Sequence, residues 1–400
     1  MKRTALLLCV LSAATGCDEE FKPASVVEGL RVLGARAEPP EVRPGQVTQL
    51  EVLAVDPSRA AKPTVFWIAC DPDPYGQGRT SCSTTEAFED PAGLDLSSGD
   101  LPPGMRIIGL GNRAAYAAPP TLFDVLEADH PVRQDGTVAM LLLLVVGEEV
   151  SPLAPREELA AVFERVRNKE TAALIALFRV TVSEKTVQNQ NPKFGSVRYG
   201  DDDPVPEAHL LFSIGEKRTF TVAASDDSYE VYRQRTPSGL EEKTERQQVA
   251  WFSTSGRFSK DVLALDSALP EEFTAPGIEP TDLLPPNRLG TTWAVLRDSR
   301  GGITWKEQPF FACDAVQFGH PSVTRVQTPT APGELLVLEG ENLGSIVDVI
   351  LGTKVVKGTY SEARGTWEGE PKGVASGTYP LELRSADCTS GPESATVTIP

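Results

Sequence analysis

The first seventeen residues set the compartment, and the compartment limits how the rest can fold. Lys2 and Arg3 precede an apolar run from Ala5 to Leu11. Small residues follow from Ser12 to Gly16, and Cys17 stands directly before Asp18, Glu19 and Glu20. A charged start, a short apolar centre and small residues at a cleavage point describe a secretory signal. The run is too short to cross a bilayer, which takes about 20 residues. The other strong apolar run, Val138 to Val146, is bounded by Gly136 and Gly147 and suits a buried strand better than a membrane span. The chain is therefore expected to fold outside the cytoplasm, where cysteines oxidise.

A cysteine directly after the small residues resembles the lipobox of bacterial lipoproteins, with Ala14 standing where that family usually has Leu. The resemblance implies that residues 1–16 are removed and that Cys17 receives a diacylglyceryl group and further acyl chains such as palmitate. Residues 17–26 then form an acidic tether. Each buried methylene of an acyl chain contributes about 0.8 kcal/mol, so two or three chains give lasting attachment. The expected partner is thus the membrane, reached through lipid on Cys17, and the expected location is the cell envelope on the outer membrane. The periplasmic face of the inner membrane stays open because Asp18 follows the cysteine. An ordinary signal peptide with an incidental cysteine is the alternative.

Removal of Lys2 and Arg3 leaves 36 basic residues against 56 acidic ones, a net −20 compared with −18 for the full 400 residues. Such a surface repels nucleic acid, and no basic patch offsets it. Of the six cysteines, Cys9 lies in the leader. Cys70, Cys82, Cys313 and Cys388 are left for disulfides, with three pairings open. Cys70–Cys82 and Cys313–Cys388 are preferred because neighbours in sequence meet most easily. The shorter loop would contribute roughly 3 kcal/mol in the chain-entropy model. No CxxC knuckle is present, so no metal and no cofactor is expected.

The pattern from Val27 onward is all-β, and the length suggests two to four domains. Leu30–Leu33, Leu50–Val55 and Val65–Cys70 read as strands around a Pro-Gly connection. A Trp three residues before a Cys resembles the opening of an immunoglobulin-like sandwich. Trp67 is expected in the core. Residues 71–104 read as a surface loop. Leu159, Val162, Phe163 and Val166 keep helical spacing after Pro155, which predicts one amphipathic helix over 156–168 packed on the sandwich edge. This first module spans 27–188, and Asn189-Gln190-Asn191-Pro192 reads as a linker.

A second immunoglobulin-like module spans 193–313. It carries Trp251 in a strand, a charged loop at 235–248, a proline-rich loop from Pro270 to Pro286, and a hairpin turning at Gly301 and Gly302, both expected to supply positive φ. In the third module, 320–400, an apolar strand runs into Gly340-Glu341-Asn342-Leu343-Gly344. A later strand reads Gly377-Thr378-Tyr379-Pro380-Leu381-Glu382-Leu383. This resembles the IPT/TIG domain, itself immunoglobulin-like. The resemblance implies a spacer or interaction module and brings no catalytic residue. Gly340 and Gly344 are expected to relieve a tight turn that Asn342 caps.

His130, His209 and His320 stand apart, each without a motif, and neither HExxH, GxSxG nor a phosphate loop occurs. Asp201-Asp202-Asp203 could bind calcium but lacks the EF-hand spacing. The expectation is a non-enzymatic, lipid-anchored structural or protein-interaction module with an envelope protein as partner. A surface lipoprotein that binds a glycan, stacking it on Tyr75 or Trp305, or that adheres through calcium, is the alternative. A hydrolase with a carboxylate pair is the third reading.

Overall fold

The structure is a computed structural model. It describes residues 23–75, 104–201, 205–260, 262–265, 269–277 and 284–400. The fold is all-β, arranged as tandem immunoglobulin-like sandwiches.

The first sandwich contains β1 (Arg31–Glu38), β2 (Glu41–Val42), β3 (Val47–Val55), β4 (Thr64–Cys70), β5 (Met105–Leu110), β6 (Arg113–Ala117), β7 (Thr137–Val146) and β8 (Ala173–Val182). One layer orders β1-β3-β6 and the other β2-β8-β7-β4-β5. The opening strand is split. β1 pairs antiparallel with β3, and after Pro39 and Pro40 the chain crosses layers so that β2 runs parallel to β8.

Two cores explain why β4 and β7 are apolar without alternation. Val65, Trp67 and Ala69 of β4, with Leu141, Leu143 and Val145 of β7, point between the layers. Phe66, Ile68, Leu142, Leu144 and Val146 point outward, beneath the helix Arg156–Arg167. Val162, Phe163 and Val166 of that helix are buried, and the Phe163 ring lies 5.0 Å from that of Phe66. The helix therefore covers the face of the sheet and not its edge, which makes β4 and β7 central layers with no polar side. Trp67 is fully buried, and its Nε1 donates to the Gly111 carbonyl at 2.8 Å.

The second sandwich contains β9 (Phe194–Tyr199), β10 (Leu210–Ser213), β11 (Lys217–Ala224), β12 (Val231–Thr236), β13 (Gly239–Thr244), β14 (Gln248–Ser253), β15 (Arg257–Phe258), β16 (Val262–Ala264), β17 (Leu269–Thr274), β18 (Leu289–Arg297) and β19 (Ile303–Cys313). Its layers order β15-β17-β11-β9 and β10-β19-β18-β14-β16, and β12 with β13 forms a separate two-stranded ribbon. The split opening strand recurs, since β9 pairs antiparallel with β11 while β10 runs parallel to β19. The core is aromatic: Trp251 stacks on Phe258 at 5.2 Å, and Phe220 meets Phe273 at 5.3 Å. Two segments differ from their sequence reading. Residues 235–248 are not a loop but carry most of the ribbon, and the proline-rich stretch begins as β17.

The third unit contains β20 (Ser322–Gln327), β21 (Leu336–Glu341), β22 (Ile346–Leu351), β23 (Lys354–Ser361), β24 (Thr366–Glu370), β25 (Gly377–Ser385) and β26 (Ser390–Ile399). Its strand order is β20-β21-β24-β23-β22-β25-β26, wrapped around Leu338, Val349, Trp367 and Leu383. Its glycine-rich turn works differently from the sequence reading. The left-handed residue is Asn342 itself, with φ 53°, and its Nδ2 donates to the His320 carbonyl. Gly340 is needed for a close approach, because a Cβ there would sit 1.8 Å from the Ser322 carbonyl oxygen.

Candidate functional site: the cleft between the first two sandwiches

The first two sandwiches meet along an apolar seam. Leu33 of β1 and Val27 pack against Trp293 and Val295 of β18 and Ile303 of β19, with Leu53, Val55, Phe252 and Trp305 around them. Val295 and Leu296 are both fully buried. Leu296 belongs to the inner core and Val295 to the seam, so β18, like β7, is covered on both faces. The seam is closed by polar groups that reach across it. Arg297 Nη2 donates to the Leu33 carbonyl at 2.7 Å, and the Arg36 guanidinium lies over the Trp305 ring at 4.6 Å. Trp305 is therefore half-buried under an arginine and is not an open stacking platform. Tyr75 is exposed, and its hydroxyl donates to the Val125 carbonyl.

Beside this seam opens a cleft of about 480 Å³. Its walls are β12 of the ribbon, the β18–β19 turn that carries Arg300, Glu41 and Lys185 of the first sandwich, and Asn189 of the linker. Arg300 is the hub. Its Nη2 meets Glu41 Oε2 at 3.1 Å, and its Nη1 meets Glu230 Oε2 at 3.2 Å and Glu245 Oε1 at 3.1 Å. Its guanidinium also lies 4.8 Å from the Tyr232 ring centre. Asp298 fixes the turn by accepting the Arg300 and Gly302 amides at 2.7 and 2.8 Å. Gly301 has φ +100°, whereas Gly302 is required for space, since a Cβ there would lie 2.1 Å from Asp298 Oδ2. The linker is built into this joint. Asn189 N donates to Glu41 Oε2 at 2.8 Å, and Asn191 bridges the Ala37 carbonyl and the Ile303 amide.

The carboxyl groups of the hub respond oppositely to burial. Burial pushes Glu41 up, but bonds from Ser183 and the Asn189 amide and the charge of Lys185 outweigh it, and Glu41 is held below its ordinary value. Burial pushes Glu245 up to about 7, and the neighbouring Asp298 and Glu230 add to this against the pull of Arg300. Glu230 is also raised, mainly by burial. The Glu245 side chain is only 1% exposed, so the group that titrates near neutrality faces protein and not the cleft. Paired charges and a shielded acid tie the two sandwiches together at this joint.

The second joint is covalent. Cys313, at the end of β19, is bonded to Cys388 in the β25–β26 turn across 75 residues. Around it, His209 donates its amide to Asp348 Oδ2 at 2.6 Å, His209 Nδ1 lies 2.9 Å from Asp348 Oδ1, and Arg384 donates to the His209 carbonyl at 2.8 Å. Cys70 is also disulfide-bonded. Cys82 and Cys17 lie outside the described residues, as do Asp202 and Asp203. His130 accepts from the Val132 amide at a helix start, and His320 faces Asp387. The three histidines are thus in three places. Among the described residues no group of three or more His, Cys, Asp or Glu could hold a metal ion, and no helix is long and apolar enough to cross a membrane. Sequence reasoning missed the Arg300 hub. The available signal was an arginine enclosed by Asp298 and two glycines in a short hairpin turn.

No protein-family model matches the chain, and no curated protein matches it. Among solved structures, it is similar to the SGBP-B of the mixed-linkage glucan utilization locus of Bacteroides ovatus, solved with a mixed-linkage heptasaccharide. That likeness is 16% identical and covers 53% of this chain and 48% of that one, at a TM-score of 0.18. The chain thus spans about half the length of that protein. It is similar also to a lipoprotein from Bacteroides thetaiotaomicron, 15% identical, covering 32% of this chain and 85% of that one, TM-score 0.19. A third likeness is to the tandem V-type regions of a v-region-containing chitin-binding protein, 11% identical, covering 70% and 100%, TM-score 0.27.

Proposed function

We propose that the chain is a non-enzymatic, lipid-anchored module of the cell envelope, moored through Cys17, whose sandwiches act together as a stiff strut that holds an interaction surface away from the membrane. The observation that supports this reading is the way both joints are locked. An apolar seam with a part-buried arginine hub joins the first pair, and a disulfide with a His209–Asp348–Arg384 network joins the second. Flexible tandem modules bury little between them. The proposal also pairs Cys70 with Cys82.

The test has two arms. Small-angle scattering of the mature chain from Cys17 onward is expected to fit one rigid shape. Membrane fractionation is expected to find the native protein in the membrane pellet and Cys17→Ser in the soluble fraction. A broad distribution of shapes would remove the strut, and a membrane-bound Cys17→Ser would remove the anchor. A ligand-binding reading has one feature in its favour, the polar cleft with Tyr232 and Arg233 on its wall. Calorimetric titration with neutral and acidic oligosaccharides tests it.

A further inference from the structure

β8 is an edge strand along most of its length. Its inner side pairs with β7 over ten residues without a break, from Val182 opposite Thr137 to Ala173 opposite Val146. Its outer side meets β2 only at Thr181 and Val182. The Thr181 and Ser183 amides donate outward, to Pro40 and Val42, while the Ala172 carbonyl accepts from Gly147 on the β7 side. A strand alternates with period two. The N–H and C=O groups of Ile175, Leu177 and Arg179 therefore also point outward. Among the described residues, no backbone group bonds to them.

Apart from the charge of Arg179, this edge carries little of the usual protection. Its sequence is Ala-Leu-Ile-Ala-Leu-Phe-Arg-Val, with neither proline nor lysine, and Leu177 is 59% exposed. A long apolar edge with unpaired backbone groups is a template for another strand, and soluble proteins normally blunt such edges. Alongside it runs a groove of about 370 Å³. Ala176 to Phe178 line it on one side and Val32 to Ala35 of β1 on the other, and Leu143 and the β18–β19 turn complete the lining.

We infer that this groove is the docking site for an extended apolar segment of a partner protein, which adds to the sheet as a further strand beside β8. Three observations favour that occupant. The groove continues the apolar seam between the sandwiches, since Leu33 and Ile303 belong to both. The β18–β19 turn stands in the same groove beside the edge, which leaves room for one strand more readily than for the edge of a second folded copy. Arg179, next in the strand to Phe178 of the groove wall, is exposed and has no ion-pair partner among the described residues, so an acidic residue flanking the apolar segment is complemented there. Main-chain bonds to Ile175, Leu177 and Arg179 supply affinity, and alternate apolar side chains facing Phe178 and Ala35 supply selectivity. This site goes beyond the strut reading and stands whether or not the joints are stiff.

The probe is a fluorescent eight-residue peptide of alternating valine and threonine with an aspartate at each end, added to the mature chain. Saturable binding is expected, with hydrogen-exchange protection rising at residues 175, 177 and 179. Leu177→Pro removes one outward donor without touching the β7 ladder and is expected to weaken binding about tenfold, a loss of one hydrogen bond and its neighbours' alignment. Arg179→Glu is a surface change and is expected to weaken binding several-fold, which keeps the test decisive if the proline variant misfolds. Three outcomes overturn the inference. The amides at 175, 177 and 179 could be protected before peptide is added, the edge being filled by this chain. Sedimentation could show a dimer that the peptide does not dissolve. Both variants could bind the peptide as tightly as the parent.

Discussion

Arg300 faces Glu41, Glu230 and Glu245 with its side chain 12% exposed, which makes the joint sensitive to single charges. Arg300→Met leaves buried carboxylates without their cation, a change that typically costs about 3–5 kcal/mol. Urea unfolding followed by tryptophan emission is expected to show the loss in the first transition, because Trp293 and Trp305 sit at the same seam. Glu245 gives the pH dependence. Its folded value of about 7 lies above its ordinary 4.5, so the folded joint keeps a proton that the unfolded chain releases between these values. Its contribution is full below pH 4.5 and is lost as pH rises toward 7, at up to about 1.4 kcal/mol per pH unit. Glu245→Gln keeps the shape of the protonated acid. Melting curves are expected to place this variant level with the parent at pH 5 and above it at pH 8.

The helix Arg156–Arg167 is the element that most changes the first sandwich, because it turns the outer face of β4 and β7 into a second core. Phe163→Ala removes the ring that meets Phe66 and is expected to cost about 3–5 kcal/mol, read by chemical denaturation, with the inner core around Trp67 retained. The apolar runs and the helical spacing were legible in the sequence, because burial on two faces leaves an unbroken apolar strand and burial on one face of a helix leaves a 3.6-residue rhythm. What the helix lies on was not legible, because β4 is far from it in the chain and no local pattern tells which face of the nearby β7 it covers. The ribbon of β12 and β13 was missed for a different reason. All six residues of β13 are exposed, so no apolar alternation marks it. β17 reads as loop because of Pro270, Glu271 and Glu272. Glu271 is nevertheless buried there, accepting from the Ser259 hydroxyl and the Lys260 amide. The same limit applies to the candidate site. Its hub joins Glu41 to Arg300, residues that no local pattern connects.

At the scale of the whole molecule, the second joint decides whether the third unit moves with the other two. The bond between Cys313 and Cys388 closes a segment of 75 residues, for which the chain-entropy model gives about 4 kcal/mol. Its ends lie in different units, at the close of β19 and in the β25–β26 turn, so its loss need not unfold either unit. The polar network remains, with Asp348 of β22 2% exposed against His209. The paired substitution Cys313→Ser with Cys388→Ser is therefore expected to lower the melting temperature while calorimetry still shows the second and third units unfolding together. Adding Asp348→Ala strips the acceptor from the His209 amide, and the combined variant is expected to separate the third unit into its own transition and to broaden the scattering profile. A third unit that already melts separately in the parent protein would mean that the disulfide and the His209 network do not couple the two units, and the strut would end at the second sandwich.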